Sequence, residues 1–113
     1  DLVLRFSDLG PVSGCGLAEL AGRQFDLIIN ATAAGLQDAV PPLPEGVLAA
    51  GGWCYDLMYG SEPTAFVRWG QEHGAARSVD GLGMLVEQAA ESFRLWRGVW
   101  PETGPVIAAL RNG

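Results

Sequence analysis

Residues Phe25-Asp-Leu-Ile-Ile29 form a short, nearly continuous apolar run that stops at Asn30. A strand of a parallel sheet is covered on both faces, so its sequence loses the alternation of a half-exposed strand and reads in this way. The small-residue segment Ala31-Thr-Ala-Ala-Gly35 follows as a loop, and Val40 to Gly46, with Pro41, Pro42 and Pro44, must also be loop because proline lacks the donor that a ladder needs. Gly52-Trp-Cys-Tyr-Asp-Leu57 reads as a second strand and Ala76-Arg-Ser-Val79 as a shorter third. Between them, Thr64 to Gly74 carries Phe66, Val67 and Trp69 in a helical pattern, with Thr64 as its cap and Gly74 as its stop. Gly81-Leu-Gly83 then opens a long helix through about Arg97, with Leu85, Ala89, Phe93 and Trp96 on one face, and Pro101 to Leu110 gives a short final helix.

Strand, helix, strand and helix therefore alternate. The expected fold class is α/β: part of a doubly wound, Rossmann-like, mainly parallel sheet with flanking helices and carboxyl-terminal helices. Ahead of the first strand, Leu2, Leu4, Phe6 and Leu9 line a helical face stopped by Gly10. Pro11 to Gly16 suggests a small edge strand with its turn, and Leu17 to Leu20 one helical turn. Because the chain opens inside an amphipathic turn, it reads as a fragment, about half of such a domain.

Composition narrows the function. With 113 residues, 49% of them hydrophobic and 18% charged, the chain is globular and forms one domain or one lobe of a larger enzyme. A net charge of −6 repels phosphate backbones, which argues against nucleic acid as a partner. No apolar run approaches the roughly 20 residues of a membrane span, and no signal peptide opens the chain, so the expected compartment is the cytoplasm. Cys15 and Cys54 are far apart and read as small buried thiols. His73 is the only histidine and stands in a helical stretch, so neither a zinc site nor a nucleophile–histidine triad is expected. Trp53, Trp69, Trp96 and Trp100 read as packing residues rather than a base-stacking platform.

Three segments lie where open α/β sheets bind ligands, beyond the carboxyl ends of strands. In Asn30-Ala-Thr-Ala-Ala-Gly35, small side chains let a flat ligand approach the backbone and Thr32 brings a hydroxyl; a tight surface loop is the equally weighted alternative. In Tyr55-Asp-Leu-Met-Tyr59, the Tyr59 hydroxyl is placed to reach a polar ligand. The plainer account, favoured on the residues alone, makes Tyr55 and Met58 core and Asp56 a cap or turn acceptor. Asp80-Gly-Leu-Gly-Met-Leu-Val-Glu-Gln88 leads from a strand through Gly-x-Gly into a helix. Val86 occupies the third glycine position of a dinucleotide fingerprint, so this is a weak phosphate cradle whose glycines still permit close backbone approach. Gln88 projects from the first turns of that helix, towards either a ligand hydroxyl or solvent.

Taken together in order and spacing, Phe25 to Gly35, Cys54 to Tyr59 with Thr64, and Asp80 to Ala90 resemble shikimate dehydrogenases, and Phe93-Arg-Leu-Trp-Arg-Gly-Val-Trp-Pro101 continues the likeness. It runs from about Leu2 to Leu110 and identifies residues 1–113 as the carboxyl-terminal portion of an NADP-binding domain. The terminal helices, about 84–110, would pack back toward an absent substrate domain.

The resemblance implies NADP as cofactor and shikimate or 3-dehydroshikimate as the small-molecule substrate, in the pathway to chorismate and the aromatic amino acids. Thr32 and Ala33 match cofactor-lining positions, although Ala33 stands where the family often has a serine and lacks that side-chain hydrogen bond. Leu57, often methionine in the family, matches the position beside the nicotinamide, and Gly81 the glycine whose backbone lies against that ring. Tyr59 and Gln88 match substrate-binding positions. No catalytic residue falls within the chain: the family's lysine–aspartate pair lies upstream, and all seven basic residues here are arginines. Alone, the chain is therefore expected to be inactive and to self-associate. A quinate/shikimate dehydrogenase relative and a non-catalytic binding module on the same half-sheet are the alternatives.

Overall fold

A computed structural model describes all of residues 1–113. Three strands, β1 (Phe25–Asn30), β2 (Leu48–Asp56) and β3 (Arg77–Val79), form one parallel sheet in the order β1-β2-β3. The helices are α1 (Leu2–Phe6), α2 (Ala65–Glu72), α3 (Leu82–Arg97) and α4 (Gly104–Asn112), with short 3-10 turns at Leu17–Leu20 and Ala33–Gln37. The α/β class with a parallel sheet, flanking helices and carboxyl-terminal helices is thus as the sequence indicates.

Helix α2 begins where expected. The Thr64 hydroxyl accepts the Val67 N–H at 3.2 Å, and the chain leaves the helix through Gly74 at φ 82°. It lies directly on β2 and β3 because residue 70 is glycine: a Cβ there would stand 2.8 Å from the Cβ of Cys54. Ser78 completes the contact by donating its hydroxyl to the Val67 carbonyl at 2.8 Å. Phe66, Val67 and Cys54 are buried at this junction with Val47, while Leu82, Val86 and Ala90 bury the start of α3.

Only one face of the sheet is covered. Gly52, Cys54 and Asp56 of β2 are buried, whereas Trp53 is 45% exposed, and on β1 Leu27 and Ile29 are 52% and 55% exposed. The parallel register sets Leu27 beside Trp53 and Ile29 beside Tyr55, so these side chains share the open face. The expectation that β1 is covered on both sides is corrected: its run is continuous in sequence, yet no element of this chain lies over the second face. The Cα radius of gyration, 16.6 Å, exceeds the roughly 13 Å of a compact globule this long.

Other expectations also change. Residues 11–16 form no strand, and none of the α1 residues is buried. Strand β2 starts four residues earlier than Gly52 and stops at Asp56, leaving Leu57 just outside; Gly51 at φ 76° sits at the irregularity in the β1–β2 register. Helix α4 starts at Gly104 rather than Pro101, and the buried stripe of α3 is Leu82, Val86 and Ala90, offset from the predicted face. Cys15 is exposed, whereas Cys54 is buried as read. Trp69 stacks between Phe66 and His73, but Trp96 and Trp100 are exposed at the far end of α3 and pack into no core. No helix is long and apolar enough to cross a membrane.

Candidate functional site

The carboxyl ends of β1, β2 and β3 open on the same edge of the sheet, and the three segments singled out in the sequence follow them. Backbone bonds tie the segments in series: Leu57 N–H donates to the Asn30 carbonyl at 3.1 Å, and Gly81 N–H to the Met58 carbonyl at 3.0 Å. Side-chain packing tightens both junctions. A Cβ at Gly35 would stand 2.7 Å from Cγ of Met58, and a Cβ at Gly81 would overlap the Leu57 carbonyl oxygen and lie 2.9 Å from its carbon. Each glycine is required by close approach of a neighbouring segment.

Asp56, fully buried, is the hub of this edge. Its Oδ1 accepts Met58 N–H at 3.1 Å and Asn30 Nδ2–H at 3.4 Å, and its Oδ2 accepts the Thr64 hydroxyl at 2.6 Å. Asn30 in turn accepts, through Oδ1, the Thr32 N–H at 3.1 Å and the Thr32 hydroxyl at 2.7 Å. The Thr32 oxygen accepts Ala34 N–H at 3.3 Å, and Thr64 caps α2. One carboxylate thus collects donors from the end of β1, the loop after β2 and the start of α2, and no buried side-chain polar atom lacks a partner. Asp56 is the turn acceptor of the plainer sequence account, and it builds the edge rather than facing a ligand.

The third segment is anchored from the other end of the chain. Asp80, whose side chain is 5% exposed, accepts Leu82 N–H at 3.2 Å and takes both arms of the Arg111 guanidinium, at 2.7 Å on Oδ2 and 2.6 Å on Oδ1. The paired guanidinium holds the Asp80 carboxyl below its ordinary value, against the opposing effect of burial. The Arg68–Asp38 and Arg94–Glu91 pairs are exposed on both sides and contribute little to the fold.

The candidate residues are distributed as follows. Thr32 and Ala33 are exposed at the tip of the first loop, with the Thr32 hydroxyl engaged inward, so what the tip presents is methyl groups and backbone. Leu57 and Tyr59, 36% and 48% exposed, follow β2. Gly81 is buried against Leu57, in the turn that opens α3. Thr32, Ala33, Leu57, Tyr59 and Gly81 therefore lie on three successive, interlocked strand ends. Gln88 stands two turns along α3, exposed, with its amide donating to the Leu85 carbonyl at 2.9 Å. Sequence reasoning missed Arg111 and the hub role of Asp56. The signal for the hub was a set of short polar side chains (Asn30, Thr32, Thr64) beside strand ends; that for Arg111 was a lone cation in the last turn of α4.

The largest cavity, about 350 Å³, lies elsewhere, between α3 and α4, and is lined chiefly by apolar residues including Leu85, Val86, Phe93 and Val106. It offers no cluster of polar groups to orient a substrate. No group of histidine, cysteine, aspartate or glutamate side chains is arranged to hold a metal ion.

Comparison with known proteins bears on this edge. Residues 81–111 match the family described as Shikimate 5'-dehydrogenase C-terminal domain. The shikimate dehydrogenase (NADP(+)) of Methylococcus capsulatus is 68% identical over 109 residues, covering 96% of this chain and 39% of that protein. The enzyme of the same name from Thioalkalivibrio sulfidiphilus is 66% identical over 106 residues, or 94% of this chain and 39% of its own. Among solved structures, that of an Ael1 enzyme from Pseudomonas putida is similar with a TM-score of 0.72 and 48% identity, over 83% of this chain and 35% of that one. The chain thus spans about two fifths of the length of the curated relatives it matches.

Proposed function

This chain is homologous over nearly its whole length to the carboxyl-terminal part of shikimate dehydrogenases, and we propose that it forms the nicotinamide-side wall of such an enzyme's cofactor cleft. The observation that carries the reading is the interlock of three strand ends, in which Gly81 is pressed on Leu57 and Leu57 is bonded to Asn30. A flat ring needs a wall with little side-chain relief, and the Thr32–Ala33 tip and Leu57 supply methyl groups and one aliphatic side chain, with the side-chain-free Gly81 turn packed against Leu57. Tyr59 and Gln88, both exposed, are the residues we assign to substrate hydroxyl and carboxyl groups. The full enzyme would interconvert 3-dehydroshikimate and shikimate with NADP, on the route to chorismate and aromatic amino acids.

In that reaction NADPH supplies the hydride, and this chain's residues bind and orient. Thr32, Ala33 and Leu57 would line one side of the bound cofactor and keep water from it, the Gly81 turn would hold Leu57 in place, and Tyr59 and Gln88 would hold the substrate acid. The proton must come from elsewhere: the chain has no lysine, and its one histidine is exposed on α2's far end, stacked on Trp69. Residues 1–113 accordingly correspond to the carboxyl-terminal portion of the NADP-binding domain, with residues 84–110 packing on the substrate domain. Both cysteines are unpaired, in keeping with a reducing cytoplasm. Isolated, the chain would self-associate through its open sheet face.

The test is a chimera in which this chain replaces the matching segment of the Methylococcus capsulatus enzyme. NADP-dependent oxidation of shikimate within about tenfold of the parent supports the reading. A folded chimera that binds neither NADP nor shikimate overturns it, and one that oxidises quinate in preference redirects it to the quinate-using relatives.

A further inference from the structure

Arg111 is the last basic residue of the chain, in the final turn of α4, and it reaches back 31 residues to Asp80. Helix α4 is fastened at both ends, by Arg111 on Asp80 just ahead of α3 and by the Thr103 hydroxyl on Glu87 Oε1 of α3 at 2.7 Å. Asp80 also accepts the N–H of Leu82, the first residue of α3, so one carboxylate joins the end of β3, the first turn of α3 and the last turn of α4. Between Asp80 and Leu82 stands Gly81, which has no room to move toward Leu57.

We propose that Arg111 is a positioning residue for the cofactor wall: by gripping both oxygens of Asp80 it sets how closely the Asp80-Gly81-Leu82 turn is held against Leu57. The inference rests on the function proposed above. Its physical basis is the fork geometry. A guanidinium meets both carboxylate oxygens in one plane and fixes the rotation of the Asp80 side chain, which a single ammonium contact does not do. Without Arg111 the Asp80 carboxylate still accepts Leu82 N–H at the amino end of α3, where the positive end of the helix dipole favours it, so the turn loosens without melting. The Arg111 side chain makes its hydrogen bonds to Asp80, through which it acts.

The experiment uses the chimera with R111Q, R111K and D80N, reading kcat, KM for NADP+ and KM for shikimate, with the melting temperature and amide exchange at Leu82 and Leu85 alongside. R111Q is expected to raise KM for NADP+ about five- to tenfold, the loss of one charge-assisted pair, while kcat and KM for shikimate stay within about twofold. R111K should recover less than half of that change, and D80N should reproduce it without adding to R111Q. Unchanged KM for NADP+ in R111Q, even with a lowered melting temperature or faster exchange, overturns the inference, because it shows a merely structural tie. An unmodified chimera that neither turns over nor binds NADP+ overturns the functional reading and this inference with it; an active chimera with an indifferent R111Q removes the inference alone.

Discussion

Gly81 meets the backbone of Leu57 so closely that a side-chain carbon at position 81 would lie 2.9 Å from the Leu57 carbonyl carbon and 3.2 Å from the Asp56 oxygen. Two strand ends are thus fitted backbone to backbone, and the shape of the edge follows from that fit.

Gly81→Ala should therefore be costly, by about 2 kcal/mol or more, because neither the Leu57 nor the Asp56 backbone can yield cheaply. Gly83→Ala is the control. Nothing lies within 4 Å of a Cβ there, and the residue is in α3, so the substitution should be neutral or stabilise by up to about 1 kcal/mol. Urea unfolding of the chimera compares the two; equal effects would show that the Leu57 contact does not constrain position 81.

Asp56→Asn replaces an acceptor of three donors by a group that is half donor, which turns one favourable contact repulsive and leaves a buried donor unpaired. A loss of about 2–4 kcal/mol is expected. Thr64→Ser keeps the hydroxyl and should cost less than about 1 kcal/mol, whereas Thr64→Val removes both the bond to Asp56 and the α2 cap. Should Thr64→Val prove as mild as Thr64→Ser, the hub does not stabilise the edge.

Acid should act through Asp80. Its carboxyl lies below the ordinary value of 3.8 because Arg111 pairs with it, so its contribution to stability is complete above that value and disappears as pH falls below 3.8 through the lowered one. In R111Q the depression is relieved and the acid loss from this group shrinks. The measurement is unfolding free energy against pH for both proteins between about pH 5 and 2; parallel curves would mean that the pair adds nothing.

The open face carrying Leu27, Ile29 and Trp53 makes a prediction about the chain alone. Light scattering should give a mass above 11.9 kDa that rises with concentration, and Ile29→Lys should lower it. A sharp monomer at high concentration would contradict this.

Much of the edge was legible in sequence because its determinants are local. The apolar run to Asn30, Thr64 three residues before Val67, and glycines flanking Leu82 each specify their own segment. What escaped notice depends on partners far along the chain. Asp56 finds Asn30 at a separation of 26 and Arg111 finds Asp80 at 31, distances over which residue spacing carries no signal. Strand β2 begins at Leu48, ahead of the Gly52 at which the sequence reading starts it, and runs through Gly51, whose positive φ adds a kink within the strand. The continuous run of β1 implies cover on both faces, yet its exposed half, Leu27 and Ile29, finds no cover within this chain.

The most direct test of the account is amide hydrogen exchange on the chimera with and without NADP+. Protection should rise together at residues 32–34, 57–59 and 81–83, and stay unchanged in the α3–α4 groove around Phe93 and Val106. Slowed exchange in that groove, with the three strand ends indifferent to the cofactor, would contradict the claim that they form one cofactor-facing wall.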